Sequence, residues 1–151
     1  MTKIKIKLLR SSSVLPKRAF PTDSCFDVTI SKLEIVNNDN LAICYLGFST
    51  EIPDGYKGVV VPRSGQTKTR WAMLNSPGQI DSTYRGEWQV RFSSLDINPG
   101  GDDEMVTPFP FKVGDRCAQM YFDKVEESEF VIMQELNDTD RGSGGFGHTG
   151  Q

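Results

Sequence analysis

The stretch LAICYLGFSTEIPDGYKGVVVP, residues 41–62, carries the strongest indication of fold class. Its first half alternates between apolar and polar or small residues, as a half-buried strand does. Pro53-Asp54-Gly55 is a turn signal, and the apolar run that follows it ends at Pro62. The pattern predicts strands over residues 41–52 and 56–62, joined by a tight turn.

The same strand pattern recurs outward from this stretch. Period-two alternation also occurs over residues 3–8, 87–92, 116–122 and 129–136. Turn signals such as Pro99-Gly100-Gly101 separate these segments, and the best helical candidate is short, over residues 67–73. Many short strands with spaced turns predict a single all-β domain, built as a sandwich, a jelly roll or a distorted barrel.

Composition narrows the classes of function. The 151 residues are 37% hydrophobic and 25% charged, with a net charge of -3, which gives no electrostatic reason to bind duplex DNA or an anionic membrane. The sequence holds neither an apolar run of membrane-spanning length nor a signal peptide. Three widely spaced cysteines without a C-x-x-C motif indicate reduced thiols in a cytoplasmic protein and argue against zinc.

Two polar clusters directly follow or interrupt apolar runs. PRSGQ, residues 62–66, offers a guanidinium, a hydroxyl and backbone N–H groups that could grip phosphate, although an ordinary turn has the same composition. In GDRCAQMYF, residues 114–122, Gln119 is either a core amide or a ligand contact, and Asp115 and Arg116 are interpreted as turn and ion-pair residues.

The segment NSPGQIDSTYRGEW, residues 75–88, places Asp81 three residues before Tyr84 and between two glycines. A carboxylate near the tip of a hairpin could deprotonate water, and the tyrosine ring could pack on a sugar or base. The alternative is that Asp81 caps a turn.

Acidic residues elsewhere raise the question of a metal. Asp27, between Phe26 and Val28, could touch a metal or its waters, or lie at a strand edge. The loop GGDDEM, residues 100–105, lacks the ligand spacing of an EF-hand and is interpreted as a solvated insertion. His148 is the only histidine, so a multi-histidine site is excluded.

The last residues, DRGSGGFGHTGQ, match the residue types of two nucleotide-binding motifs but lack the secondary structure that both motifs require. Both G-x-G-x-x-G and a Walker A loop need a helix after the glycines, and the sequence given ends two residues after Thr149.

Taken in order, five segments resemble the motifs of the homotrimeric dUTPases (deoxyuridine triphosphate nucleotidohydrolases). They are SCFDV, PRSG, NSPGQIDSTYRGE, GDRCAQM and RGSGGFGHTG, which together run from residue 24 to residue 150. The resemblance implies a jelly-roll-like β subunit, a homotrimer with active sites at subunit interfaces, and Mg²⁺-dependent hydrolysis of dUTP to dUMP and pyrophosphate. It also implies that residues 1–140 form the β domain and that residues 141–151 form a flexible glycine-rich lid.

The resemblance assigns a role to each matching residue. Asp81 matches the aspartate that activates water, Tyr84 the ring that selects deoxyribose, and Asp27 the acid that contacts Mg²⁺ through water. The matching substrate contacts are Arg63, Ser64, Gly65 and Gln119 for phosphate; Asn75, Gly78, Gln79 and Ile80 for uracil; and Arg141, Phe146, Gly147, His148 and Thr149 in the tail.

Four departures from the family pattern stand out: Thr83 in place of a second acid, Cys25-Phe26 before Asp27, His148 in place of serine, and a lengthened connection over residues 94–110. Two other functions stay open on the sequence, a deoxycytidine triphosphate deaminase-like enzyme and a nucleotide-sensing protein that contacts a regulatory partner. The lengthened connection is where we expect such a partner.

Overall fold

The computed structural model describes residues 2–36, 40–96 and 107–145. Within these ranges the chain is almost entirely β, which confirms the predicted fold class. The only other regular element among the described residues is a short 3₁₀ helix, Ser64–Lys68. No helix in this part of the chain is long and apolar enough to cross a membrane. The strands are β1 (Lys5–Leu8), β2 (Phe26–Thr29), β3 (Lys32–Val36), β4 (Leu41–Tyr45), β5 (Phe48–Glu51), β6 (Tyr56–Val61), β7 (Trp71–Met73), β8 (Gly78–Ile80), β9 (Gln89–Ser94) and β10 (Arg116–Lys124).

All strand pairs are antiparallel and form three sheets. Two four-stranded sheets have the orders β2-β10-β6-β8 and β3-β4-β9-β7, and β1 pairs with β5 in a two-stranded sheet. Strands that are neighbours in a sheet are mostly distant in sequence, as in a jelly-roll-like barrel. We call the first four-stranded sheet the site sheet, because its strands carry five of the predicted site residues: Asp27, Gly78, Gln79, Ile80 and Gln119.

A single core fills the space between the sheets. Trp88, Phe48 and Phe92 are its largest buried side chains, and the ring centroids of Phe48 and Trp88 lie 5.4 Å apart. The Trp88 indole donates to the Thr50 hydroxyl at 3.0 Å, so its one polar atom is satisfied inside the core. Burial of each such side chain stabilises the fold by about 1.5–3 kcal/mol.

Two predictions of secondary structure, over residues 41–52 and 67–73, differ from the structure. Residues 41–52 form two strands, because Gly47 has a φ of +78° and turns the chain from one sheet to another. The helix predicted over residues 67–73 is absent from this described segment, where β7 follows the 3₁₀ helix instead. Trp71 and Met73 are both buried with Ala72 less so, a period-two burial that overrides helix propensity.

The strand predicted over residues 129–136 does not form in the described chain. Its apolar residues are exposed, from 64% for Met133 to 99% for Phe130. The alternating pattern marks a tendency to form a strand, and within the described residues no strand pairs with this segment.

Candidate functional site

The phosphate-binding candidates meet at one end of the site sheet. Asp27 on β2 lies opposite Gln119 on β10, and Gln119 lies opposite Val61, the last residue of β6. The turn that follows β6 therefore brings Arg63 and Ser64 to the same place. These residues border a cavity of about 300 Å³, which we call the phosphate pocket; its lining is Ala19, Asp23, Ser24, Cys25, Asp27, Arg63, Ser64, Arg116 and Gln119.

Asp27 joins two arginines at the floor of the phosphate pocket. Its Oδ1 accepts from Arg63 Nε at 2.7 Å and its Oδ2 from Arg116 Nη1 at 2.9 Å. The Asp27 side chain is 15% exposed, and its backbone pairs with Lys17 on the side away from β10. The carboxylate thus holds two guanidinium groups in fixed positions, and such groups favour a ligand with several anionic oxygens.

Gln119 supports the turn that carries the phosphate-binding candidates. Its Nε2 donates to the carbonyl oxygen of Pro62 at 2.9 Å. Ser64 and Gly65, both exposed, then open the 3₁₀ helix. The Gln119 amide therefore helps to hold the turn in place through its Nε2. Its Oε1 can accept a hydrogen bond from another group.

The second group of candidates lies along β8, at the edge of the site sheet. Gly78 pairs with Val60 and Ile80 with Gly58, while Gln79 is exposed and accepts from Lys57 Nζ at 3.3 Å.

Asn75 fastens the loop before β8 to the neighbouring sheet. Its Nδ2 donates to Gln89 O at 3.0 Å, and its Oδ1 accepts from Arg91 N at 2.9 Å. Both ends of the amide are therefore occupied in the single chain. The structure gives Asn75 a positioning role in the loop that was predicted to read uracil.

The turn after β8 presents a carboxylate and an aromatic ring together. Asp81 is exposed, and its carbonyl accepts from Tyr84 N at 3.1 Å. The Tyr84 hydroxyl donates to Glu87 O at 3.2 Å. A Cβ on Gly86 would lie 2.3 Å from the Tyr84 hydroxyl oxygen, so only glycine leaves room for the ring in this position.

Glu87 anchors the end of this turn. It accepts from the Arg10 guanidinium through both oxygens and from Gly47 N at 2.8 Å. The hydrogen bond with Arg10 is the main reason that the pKa of Glu87 lies below its usual range. The segment that carries Tyr84 is thereby tied to the amino-terminal part of the chain.

The two groups lie at opposite ends of the site sheet. Because β8 runs antiparallel to β6, Asp81 lies beyond Gly58, whereas the phosphate pocket lies beyond Val61. With about 3.3 Å per residue along a strand and about 4.8 Å between strands, Asp81 is about 20 Å from Asp27. A single chain does not bring the predicted base and the predicted phosphate contacts together.

The tail residues are only partly described. Arg141 is exposed, donates to Gly144 O at 3.0 Å and is not part of the phosphate-pocket lining. Phe146, Gly147, His148 and Thr149 lie outside the described residues, as do residues 97–106 of the lengthened connection.

Sequence reasoning did not assign five of the residues that line the phosphate pocket to a site: Ala19, Asp23, Ser24, Cys25 and Arg116. Arg116 does form the expected ion pair, but it also lines the cavity, and Cys25 lines it as a half-buried thiol. The position of Arg116 depends on an irregular pairing at the start of β10, for which the sequence gives no signal.

Comparison with known proteins identifies the family of the chain. The dUTPase family model matches residues 11–150. The deoxyuridine 5'-triphosphate nucleotidohydrolase of Fusobacterium nucleatum is 36% identical over 155 aligned positions and covers 100% of both chains. That of Syntrophotalea carbinolica is 38% identical over 97% of this chain and 96% of its own.

Solved structures show the same fold at lower identity. The dUTPase of Staphylococcus bacteriophage 80alpha with dUpNHpp has a TM-score of 0.80, with 22% identity and 100% coverage of both chains. The dUTPase of S. aureus phage phi11, described with a species-specific insert, has a TM-score of 0.73, with 20% identity over 91% of this chain and 100% of its own. With its family match and its full-length relatives, the chain belongs to the dUTPase family.

Proposed function

We propose that the protein is a dUTP diphosphatase that hydrolyses dUTP to dUMP and pyrophosphate. The observation that carries this proposal is the convergence of Arg63, Ser64, Gln119 and Asp27 on one pocket in a chain of the dUTPase family. Such an activity keeps uracil out of DNA and supplies dUMP for thymidylate synthesis. A cytoplasmic location is part of the proposal and is supported by three free cysteines, all of them described.

The proposed reaction is an in-line displacement at the α-phosphorus. Asp81 takes a proton from water as the water oxygen bonds to phosphorus, and the bond from phosphorus to the bridging oxygen breaks. The electron pair of that bond leaves with pyrophosphate. Arg63 and Arg141 neutralise the charge that develops on the leaving group, while Ser64, Gly65 and Gln119 fix the phosphate chain in line.

The specificity of the proposed site rests on the β8 segment and the tail. Gly78, Gln79 and Ile80 would read uracil with backbone groups, on a loop that Asn75 holds in place. Tyr84 would pack against deoxyribose and leave no room for a 2'-hydroxyl. In the tail, Phe146 would stack on the base, and Gly147, His148 and Thr149 would close over the phosphates.

The residues present fit a magnesium ion that is held mainly by the substrate. Both oxygens of Asp27 accept hydrogen bonds from arginine, and the described residues contain no cluster of three acidic, histidine or cysteine side chains that could cage a metal. Mg²⁺ commonly keeps several waters and binds through phosphates with one or two carboxylates. Asp27 would contact it through water, and the ion would supply charge neutralisation on the triphosphate.

A homotrimer with sites between subunits is the assembly that we propose. A second copy can supply Asp81 and Tyr84 to the phosphate pocket of the first, which a single chain cannot do for itself. The exposed apolar arm, residues 126–136, supports this assembly, because it needs a strand partner from outside its own subunit. The chain offers one at β1, which pairs only with β5 among the described strands. Ile6 of β1 and the preceding Ile4 line an apolar cavity of about 590 Å³.

The function is tested by pyrophosphate release from a panel of nucleoside triphosphates, with and without Mg²⁺. We expect release from dUTP, with little from dCTP, dTTP or UTP. Ammonia release from dCTP instead would favour the deaminase-like alternative, and absence of both products would overturn the proposal.

A regulatory protein partner at residues 94–110 is a further part of the proposal. Phage dUTPases of this fold are described as controlling the transfer of virulence genes. Here the described base of the connection is closed by Asp96 Oδ2, which accepts from Thr107 N at 2.8 Å. The segment between these two residues can therefore vary without opening the barrel.

Replacement of residues 97–106 with two glycines tests this part of the proposal. We expect wild-type turnover and the same oligomer, which would leave the segment free for a partner. A large loss of turnover would instead assign the segment to catalysis.

A further inference from the structure

β10 begins with a β-bulge that changes the direction of one side chain. Arg116 lies opposite Thr29 but Ala118 lies opposite Val28, so Cys117 is an extra residue on this strand. In a regular strand Arg116 and Gln119, three positions apart, would face opposite sides of the sheet. The extra residue places them on the same side, and the consecutive burial of Cys117 and Ala118 shows the break in alternation.

The bulge brings a second guanidinium to the phosphate pocket. Arg116 lines the cavity with Arg63, and its side chain is 55% exposed. Asp27 takes one N–H donor from each arginine, and each guanidinium has five. Asp23, the other acid on the lining, directs Oδ2 to Phe20 N at 2.9 Å. Most donors of the two arginines are therefore available to a ligand in the cavity.

We infer that Arg116 is a second phosphate-binding arginine and that Asp27 positions it beside Arg63. The inference rests on the proposed function and extends it, because it adds a substrate contact at a residue that the sequence indicated only as part of a turn and an ion pair. Asp27 already fixes the guanidinium groups of Arg63 and Arg116. Each group can therefore bind oxygens of a polyphosphate without a further loss of side-chain entropy.

The test compares two probes, a non-hydrolysable dUTP analogue with Mg²⁺ and deoxyuridine, which lacks phosphate. Arg116→Gln should weaken binding of the analogue about tenfold or more, since it removes a charge-assisted contact. Deoxyuridine, measured as a competitive inhibitor, should bind as it does to the wild type. Arg116→Lys should recover part of the lost affinity, because the charge returns without the fork.

Arg91→Gln is the matched control, because it removes one exposed arginine charge on β9 in the other four-stranded sheet. It should leave both probes unaffected. If Arg116→Gln fails to assemble, the lysine variant alone should still weaken the analogue and spare deoxyuridine.

Two outcomes would overturn the inference while the proposed function stands. One is equal affinity of wild type and Arg116→Gln for the analogue in an enzyme that turns over dUTP. The other is an equal loss for analogue and deoxyuridine, which would mean that Arg116 only supports the fold. A wild-type protein that neither binds the analogue nor hydrolyses dUTP would remove the proposed function, and the inference with it.

Discussion

Asp81 is exposed at the end of β8 and, within the described residues, its carboxylate accepts no hydrogen bond. We expect Asp81→Asn to lower turnover about 10²- to 10⁴-fold, because the amide keeps the shape of the side chain but cannot take a proton. Affinity for a non-hydrolysable dUTP analogue should change little. Single-turnover rates and titration of the analogue measure the two effects separately, and turnover within a few-fold of wild type would exclude Asp81 as the base.

The position of the Tyr84 ring depends on Gly86, because any larger side chain at residue 86 would overlap the ring. Gly86→Ala would put a methyl group into the space of the Tyr84 hydroxyl and displace the ring. We expect it to reduce the preference for dUTP over UTP, as Tyr84→Ala should do directly. The ratio of kcat/KM for the two nucleotides measures this. An unchanged ratio in both variants would contradict the assignment of sugar selection to Tyr84.

Between strands, Asp96 closes the base of the lengthened connection. Hydrogen bonds from the Thr107 hydroxyl and amide, and from Arg70, lower the pKa of Asp96 from 3.8 to about 2. A depressed pKa stabilises the fold above pH 3.8, and this contribution is lost as the pH falls toward 2. Asp96→Asn should therefore lower Tm at pH 7, with a difference from wild type that shrinks in acid. A constant difference across that range would show that the charge of Asp96 does not matter.

The carboxyl-terminal tail is the second element with a separable role. Deletion of residues 141–151 should leave a folded trimer, since a glycine-rich segment adds little to a core. Turnover should fall by orders of magnitude, because Arg141 and Phe146 are both removed. Sedimentation and a dUTP assay decide between this role and a structural one, for which the deletion would abolish the trimer.

The sequence predicted the strands that alternate cleanly, and its motifs included four of the residues that line the phosphate pocket, Asp27, Arg63, Ser64 and Gln119. Asp27, Arg63 and Gln119 could be named from motifs, but only strand register shows that they meet. Arg116 could not be placed, because a bulge reverses its direction and no residue type marks that bulge. The strand predicted over residues 129–136 was wrong for the single chain. Alternation of apolar and polar residues indicates a tendency to form a strand, but it does not show where a pairing strand lies.

For the assembled molecule, the separation of Asp81 from Arg63 predicts complementation between inactive subunits. Asp81→Asn and Arg63→Gln should each be inactive alone. In every mixed trimer, about one site in three takes an intact Asp81 from one subunit and an intact Arg63 from the next, because the three subunits form a cyclic arrangement. Co-expression with two affinity tags and a dUTP assay measures the recovery. Absence of recovery in verified mixed trimers would place both residues in one subunit.

The exposed arm also has a consequence for the newly made chain. Until it finds a partner, Phe130, Val131 and Ile132 form an apolar, strand-forming window, and such windows promote aggregation. Acidic residues flank this window: Glu126, Glu127, Glu129 and Glu135. Like charges repel when two such segments meet side by side, and charges that flank an apolar window in this way oppose its aggregation. These acidic residues have no role in the proposed chemistry. Their charge is useful in the time between synthesis of the chain and its assembly, when the apolar window is still exposed.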